Sequence, residues 1–338
     1  MLSSYCPRYY LDMLSTRFCL VSVSLVCFGL LMCTNSVSAE SLQIVSYNVE
    51  NLFHPKHDSI MVDNVWVEKD DYEWTPSGER HWSYKRYQDK VENIARVLTN
   101  IGEWDGVDII GLQEVENAWC ISRLCRTLGR KKYDFVHYES PDRRGIDVAL
   151  IYKKSKIDTI STKKLPVYLN ENETTRDILY IFARINKKDS LHLFVCHMPS
   201  QRGGKAQSEW KRKAAKGVLQ KAVDSVFMLQ PNAKIIVMGD MNSAPEEDLK
   251  GLKNRMKDEG MKDKGTHKYR GQWTCLDQFY TSPAIDSLSQ VRIYDAEWIQ
   301  ETDEKYLGLR PKRSFNGYTY QKDGFSDHLP IILNLKIR

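Results

Sequence analysis

The chain has 338 residues, 42% of them hydrophobic and 28% charged, which excludes a disordered, collagen-like or multi-span membrane chain. Lys and Arg number 49 against 44 Asp and Glu, a net charge of +5. That excess falls short of a non-specific nucleic-acid coat, so an anionic substrate is permitted and not required.

Residues 1–39 read as a secretory signal. Leu20–Cys33 (LVSVSLVCFGLLMC) is apolar but too short to span a membrane comfortably. Arg8 and Arg17 precede it, and Ser36-Val37-Ser38-Ala39 offers small residues for cleavage after Ala39. Met13 is an alternative start; a lipoprotein signal at Cys33 fits poorly, because Met32 before it is not small. The expectation is one catalytic domain, 40–338, exported to the periplasm or outside the cell, with no transmembrane segment once the signal is removed. Of eight cysteines, Cys6, Cys19, Cys27 and Cys33 lie in the leader, which leaves Cys120, Cys125, Cys196 and Cys275. An oxidising compartment permits disulfides, but Cys196 and Cys275 sit in apolar runs where buried free thiols are at least as well accommodated. No CxxC zinc pattern is present.

Short apolar runs then alternate with amphipathic stretches, as in a layered α/β domain. In chain order, strands are expected at Leu42–Tyr47, Val107–Leu112, Asp147–Tyr152, Leu191–Cys196, Lys234–Met238, Thr274–Tyr280 and Leu329–Leu335. Helices are expected at Tyr87–Ile101 and Gln207–Leu229, the second with Trp210, Ala214, Val218 and Ala222 on one face. Residues 54–88 are rich in aromatics without a clear period and read as a long surface insertion. Val62–Val67 with Trp66 is its candidate membrane-touching segment. Basic residues in Arg123–Lys132, Lys211–Lys216 and Lys250–Arg270 read as solvated faces rather than a nucleic-acid track.

Polar residues end these apolar runs. Ile44–Tyr47 ends in Asn48 and then Glu50, Ile109–Leu112 in Gln113-Glu114, Leu193–Cys196 in His197, and Ile235–Met238 in Gly239-Asp240-Met241-Asn242. The carboxyl ends of strands form the ligand crevice of α/β sheets, so these residues can converge. Asp277 lies inside a strand-like run, and Asp327-His328 precede the last strand. They reach the same rim only if the last strand runs antiparallel to its neighbours, which predicts a mixed sheet. Alone, each residue reads as well as a cap, a turn or a satisfied core histidine; together they describe a site.

The segments SYNVENLF (46–53), LQEVEN (112–117), HMPSQRGG (197–204), GDMNSAP (239–245), CLDQFYTS (275–282) and SDHLPI (326–331) resemble, in order, the endonuclease/exonuclease/phosphatase superfamily of metal-dependent phosphoesterases. The resemblance implies a four-layer α/β sandwich, two mixed β-sheets packed face to face with helices outside. It also implies Glu114 as principal ligand of Mg²⁺ (Mn²⁺ or Ca²⁺ being alternatives), with Asn48 and Asp327 near the ion and Glu50 a lesser contributor. His328 is then the catalytic histidine, oriented by Asp277, acting either as base or as a charge on the phosphate. Asp240 is the other candidate for activating water, Asn242 holds phosphate or nucleophile, and His197 resembles the phosphate-binding histidine. Arg144 could reach a substrate phosphate, and Asp147 could join the rim. The glycine-rich loop Pro199–Lys205 before a helix suits an anion or serves as a connector.

The expected activity is an exported metal-dependent nuclease that cuts DNA or RNA phosphodiesters, acting on nucleic acid as a monomer with no stable protein partner. The alternatives are a sphingomyelinase-like phospholipid phosphodiesterase or an inositol-phosphate phosphatase, and then a non-catalytic binding protein. The last predicts losses among Glu114, Asp240 and His328, and none is lost.

Overall fold

The computed structural model describes residues 41–337 apart from 63–64, 171–172, 246–248 and 258–263. The segment 1–39, expected to be a secretory signal, lies outside the described residues. The main strands are β1 (Ser41–Leu52), β2 (Ile109–Val115), β3 (Tyr133–His137), β4 (Asp147–Lys153), β5 (Ile157–Leu165), β6 (Ile178–Ile185), β7 (Asp189–His197), β8 (Ile235–Asp240), β9 (Lys253–Asn254), β10 (Asp277–Thr281), β11 (Ser289–Ile293) and β12 (Ile331–Lys336). The long helices are α1 (Tyr84–Gly102), α2 (Ala118–Gly129) and α3 (Lys205–Leu229). One six-stranded sheet has the order β11-β12-β1-β2-β4-β3, the other β9-β10-β8-β7-β6-β5.

Both sheets are mixed. β1 pairs parallel with β2 and antiparallel with β12; β7 pairs parallel with β8, which pairs antiparallel with β10. The antiparallel last strand expected from Asp327-His328 is therefore present. The sheets face each other, and each strand's alternation sorts its side chains. Leu193, Val195, Ile236 and Met238 join the core between the sheets, while Phe194, Cys196, Ile235 and Val237 join a second cluster under α3. Helices α1 and α2 cover the outer face of the first sheet with Val91, Ile94, Leu98, Ile121 and Leu124. Ser83 and Asn117 cap these helices by accepting the N–H groups of Arg86 and Cys120.

The structure corrects three expectations. The α3 face that points inward is Ser208, Arg212, Ala215, Leu219 and Val223; Val218 and Ala222 flank it, and Trp210 is exposed with the Lys211 ammonium over its ring. The stretch Thr274–Tyr280 is broken, because the Thr266 hydroxyl accepts the N–H groups of both Leu276 and Asp277. Gln272–Thr274 instead forms a hairpin with His267–Tyr269, and β10 starts at Asp277. The insertion 54–88 is not wholly a surface loop: Trp74 and Trp82 are buried against Phe53 and Phe315, and its end is the first turn of α1. Within it, Ser59–Val62 and Val65–Glu68 form a hairpin on which Met61 and Trp66 are exposed opposite each other.

Cys120, Cys125, Cys196 and Cys275 are all buried free thiols. No helix among the described residues is long and apolar enough to cross a membrane.

Candidate active site

Both strands of the first sheet that carry the amino-terminal motifs break their ladder at the motif. The β1–β2 register shifts between Asn48 and Leu52, and β2 shifts against β4 between Gln113 and Val115. At these bulges Glu50, Asn51 and Glu114 take left-handed backbone, with φ of 53°, 60° and 64°. Non-glycine residues rarely adopt it, and such strain collects where a side chain must be aimed. The two bulges hold each other, since a Glu114 carboxylate oxygen accepts the Asn51 N–H at 2.9 Å.

The second sheet faces them with the parallel pair β7 and β8, whose final residues His197 and Asp240 are register partners. Gly239 between the motif's strand and Asp240 has φ of 141°, and a Cβ there would lie 1.9 Å from the Cys196 carbonyl oxygen, so no side chain fits. One Asp240 oxygen accepts the Asn242 N–H at 2.8 Å; the other accepts the Asn48 side-chain amide at 3.2 Å, which ties the two sheets together. Asn242, at φ 48°, donates its own amide to the Met198 carbonyl.

Asp277, opposite Asp240 in the ladder, accepts a hydrogen bond from His328 Nδ1 at 2.7 Å. His328 Nε2 then lies 3.9 Å from Asp240. Burial works against a charge on His328, but Asp277, Asp240 and Asp327 outweigh it and hold the imidazolium well above its usual range. Burial, with Asp277 and Glu114 adding to it and His328 opposing, pushes Asp240 up to about 7. His197 is the reverse case: burial and then the Arg176 and Arg144 guanidiniums hold it neutral. Its Nε2 faces Glu114 at 3.8 Å and Asp240 at 3.7 Å, whereas its Nδ1 is buried without a partner.

The sequence-derived set of Asn48, Glu114, His197, Asp240, Asn242, Asp277, Asp327 and His328 thus gathers at one seam between the sheets. Arg144 reaches it by donating to Asn51 Oδ1 at 3.2 Å. Asp147 does not join: it faces His137 at 3.4 Å and accepts the Ser140 N–H, a local structural pairing.

Several residues at the seam lie outside every motif. Lys90 of α1 is fully buried and donates to the Ser314 hydroxyl, while Ser314 N–H donates to Glu50. Its position on the inward face, three residues after Tyr87, was the available signal. His267, on the hairpin before β10, bridges to His328 with the two rings tilted at 4.8 Å between centroids, and its Nε2 lies 4.0 Å from Asp327. Burial and the His328 charge push it down to about 4. Nothing in its flanking sequence marks it.

The donor set suits a hard divalent cation. Glu50, Glu114, Asp240 and Asp327 crowd hard oxygens into a mostly buried crevice, and burial with Asp327 pushes Glu50 up to about 7 against the charge of Lys90. Carboxylates so placed call for a cation beyond Lys90 and His328. Among the described residues, ligand atoms of His267, Asp327 and His328 lie within 4.8 Å of one another at this seam. Asn48, Glu114 and Asp327 are the residues that would hold the ion on the oxygen side.

A family profile described as Endonuclease/Exonuclease/phosphatase family matches residues 43–337. Among solved structures, truncated TDP2 of Caenorhabditis elegans aligns with a TM-score of 0.56 at 15% identity, covering 88% of this chain and 98% of that one. The human Nocturnin catalytic domain with bound sulfate aligns with a TM-score of 0.52 at 13% identity, covering 87% and 93%. The Bacteroides thetaiotaomicron mannosyl-6-phosphatase Bt3783 aligns with a TM-score of 0.50 at 16% identity, covering 86% and 98%. At these identities they show the shared fold. No curated protein matches.

Proposed function

Because the chain belongs to the endonuclease/exonuclease/phosphatase family, and is therefore a metal-dependent phosphoesterase, we propose that it is an exported Mg²⁺-dependent nuclease that hydrolyses phosphodiester bonds of DNA or RNA. The observation that carries the chemistry is the Asp277–His328–Asp240 arrangement, a held imidazolium beside a carboxyl raised to about 7.

When bound, the metal supplies Lewis-acid neutralisation of charge on the phosphoryl oxygens. Asp240 takes the proton of the attacking water, for which a carboxyl near neutrality is matched. Asn242, turned by its left-handed backbone and held on Met198, orients that water. As the water oxygen bonds phosphorus and the ester oxygen departs, His328 faces the growing negative charge as a cation. This makes His328 the electrostatic partner and Asp240 the base, the alternative left open by sequence. His197 donates from Nε2 to a phosphoryl oxygen. Removing one such group costs about 10²-fold or more in rate.

The nuclease reading is supported by an aromatic platform just beyond the ends of β1 and β2. His54 packs edge-on against Trp119 at 4.2 Å, Tyr84 adjoins them, and the Arg123 guanidinium covers the Trp119 ring at 5.5 Å. Trp119 and Tyr84 remain exposed. Exposed rings beside a guanidinium suit stacked bases.

The test is nicking of supercoiled plasmid by the chain from Glu40 onward with Mg²⁺. Nicking that disappears with EDTA, in Glu114→Ala and in His328→Ala is the expected result. Phosphate release from sugar phosphates with no nicking would replace the nuclease with a phosphomonoesterase. Export is tested by the amino terminus of the protein recovered outside the cytoplasm, expected at Glu40.

A further inference from the structure

On the side of the seam that carries Arg144, one carboxylate, Asp142, holds the Arg144 backbone and the Arg176 guanidinium. Asp142 accepts the Arg144 backbone N–H on one oxygen and Arg176 Nη1 on the other, at 2.9 and 2.8 Å. Arg176 is 6% exposed, donates Nη2 to the Met198 carbonyl at 3.1 Å, and has a buried Nε–H without a partner. That carbonyl is the one that holds Asn242, so Arg176 stands directly behind the asparagine. Arg144 stands on the other flank, on Asn51, whose N–H binds Glu114. Arg202 lies on the turn that follows Met198. It is exposed on the turn closed by Gln201 and Gly204, and the Gln201 side chain anchors that turn by donating to the Asn242 carbonyl at 2.9 Å. Arg144 feels the charges of both Arg176 and Arg202.

Two carboxylates, Asp142 and, for Arg144, Glu114, stand against these three guanidiniums, which leaves uncompensated positive charge, while His328 and His197 are already assigned to the scissile phosphate. From this placement we infer that Arg144, Arg176 and Arg202 form a subsite for a second phosphate of the substrate, carried on the same sugar unit as the scissile one. The inference rests on the phosphoesterase reading of the seam. Guanidinium forks match phosphate oxygens in pairs, and Arg176, locked by Asp142 and Met198, is preorganised to receive one. Substrates that carry a neighbouring phosphate are therefore bound in preference to isolated phosphate esters.

Calorimetric titration of the mature protein with thymidine 3′,5′-bisphosphate, and with thymidine 3′- and 5′-monophosphate, tests this without turnover. The bisphosphate binds about tenfold tighter than either monophosphate, and that advantage falls to about twofold or less in Arg144→Gln and in Arg202→Gln, while Arg144→Lys keeps part of it. Equal affinity for mono- and bisphosphate, or an advantage that survives in both Gln variants, overturns the subsite. Inositol 1,4-bisphosphate against inositol 1-phosphate is the second arm. An advantage there alone keeps the subsite and moves it from a nucleotide to a cyclitol. Plasmid nicking without a bisphosphate advantage removes the subsite and leaves the nuclease; the converse removes the nuclease and leaves a two-phosphate site.

Discussion

Lys90 carries the sharpest prediction at the level of a single residue. It is wholly buried beneath Glu50 and Asp327, and its charge opposes the burial that raises the Glu50 carboxyl. Lys90→Met removes the hydrogen bond to Ser314 and the buried positive charge that opposes the rise of the Glu50 carboxyl, and leaving a buried carboxylate without its cation costs about 3–5 kcal/mol. Urea unfolding of Lys90→Met should show that loss, and Glu50→Gln added to it should restore a large part. A penalty that is unchanged by the second substitution would mean Lys90 acts by packing alone. Residues that end apolar runs, such as Asn48, Glu114, His197 and Asp240, were legible because a polar group at a strand end stands out in any sequence. Lys90 and His267 were not, because one hides in a helix that is otherwise suitably amphipathic and the other reaches the seam only when its hairpin folds back onto His328. Asp147 was legible as polar but not as local, since its partner His137 belongs to a strand, β3, that the apolar pattern did not reveal.

At the level of elements, glycine and helix face decide what the chain tolerates. Gly239→Ala puts a methyl group onto the Cys196 carbonyl at a backbone angle that disfavours any side chain, and should lower stability by more than about 2 kcal/mol with loss of activity, read by denaturant midpoint and nicking. The corrected face of α3 gives a paired test. Leu219, fully buried against β7 and β8, should cost about 3 kcal/mol when cut to Ala. Trp210→Ala should change stability by less than about 0.5 kcal/mol, the reverse of what a Trp210 face implies. The error arose because Ala214, Val218 and Ala222 repeat every four residues just as the buried Ala215, Leu219 and Val223 do, one position further on, and both rows satisfy a helical pattern. The bulges in β1 and β2 were illegible for a related reason. An extra residue in a ladder alters pairing, not composition, so nothing in VENLF or LQEV announces that Glu50 and Glu114 adopt positive φ.

For the molecule as a whole, the place of Asp327-His328 ahead of the last strand was enough to anticipate a mixed sheet, while the two facing sheets came from the family resemblance and not from the apolar pattern. The same view sets the scale of electrostatics. With a net charge of only +5, nucleic-acid affinity should rest on the few guanidiniums at the seam and not on a basic coat. Binding of a catalytically silent Asp240→Asn variant to duplex or single strands should fall with salt at a logarithmic slope of about −2 to −3, as expected for about three phosphate contacts. A slope near −8 would point to the Arg123–Lys132 and Lys211–Lys216 faces instead. The position of β12 has a consequence of another kind. It sits between β1 and β11, so the earliest strand of the domain waits for the latest, and His328 arrives with it. During synthesis Glu114 and Asp240 are therefore made long before Asp327 and His328, which enter together just ahead of the last strand. A hydrolase assembled in this order is inert until its last strand closes, so activity and completed folding arrive together.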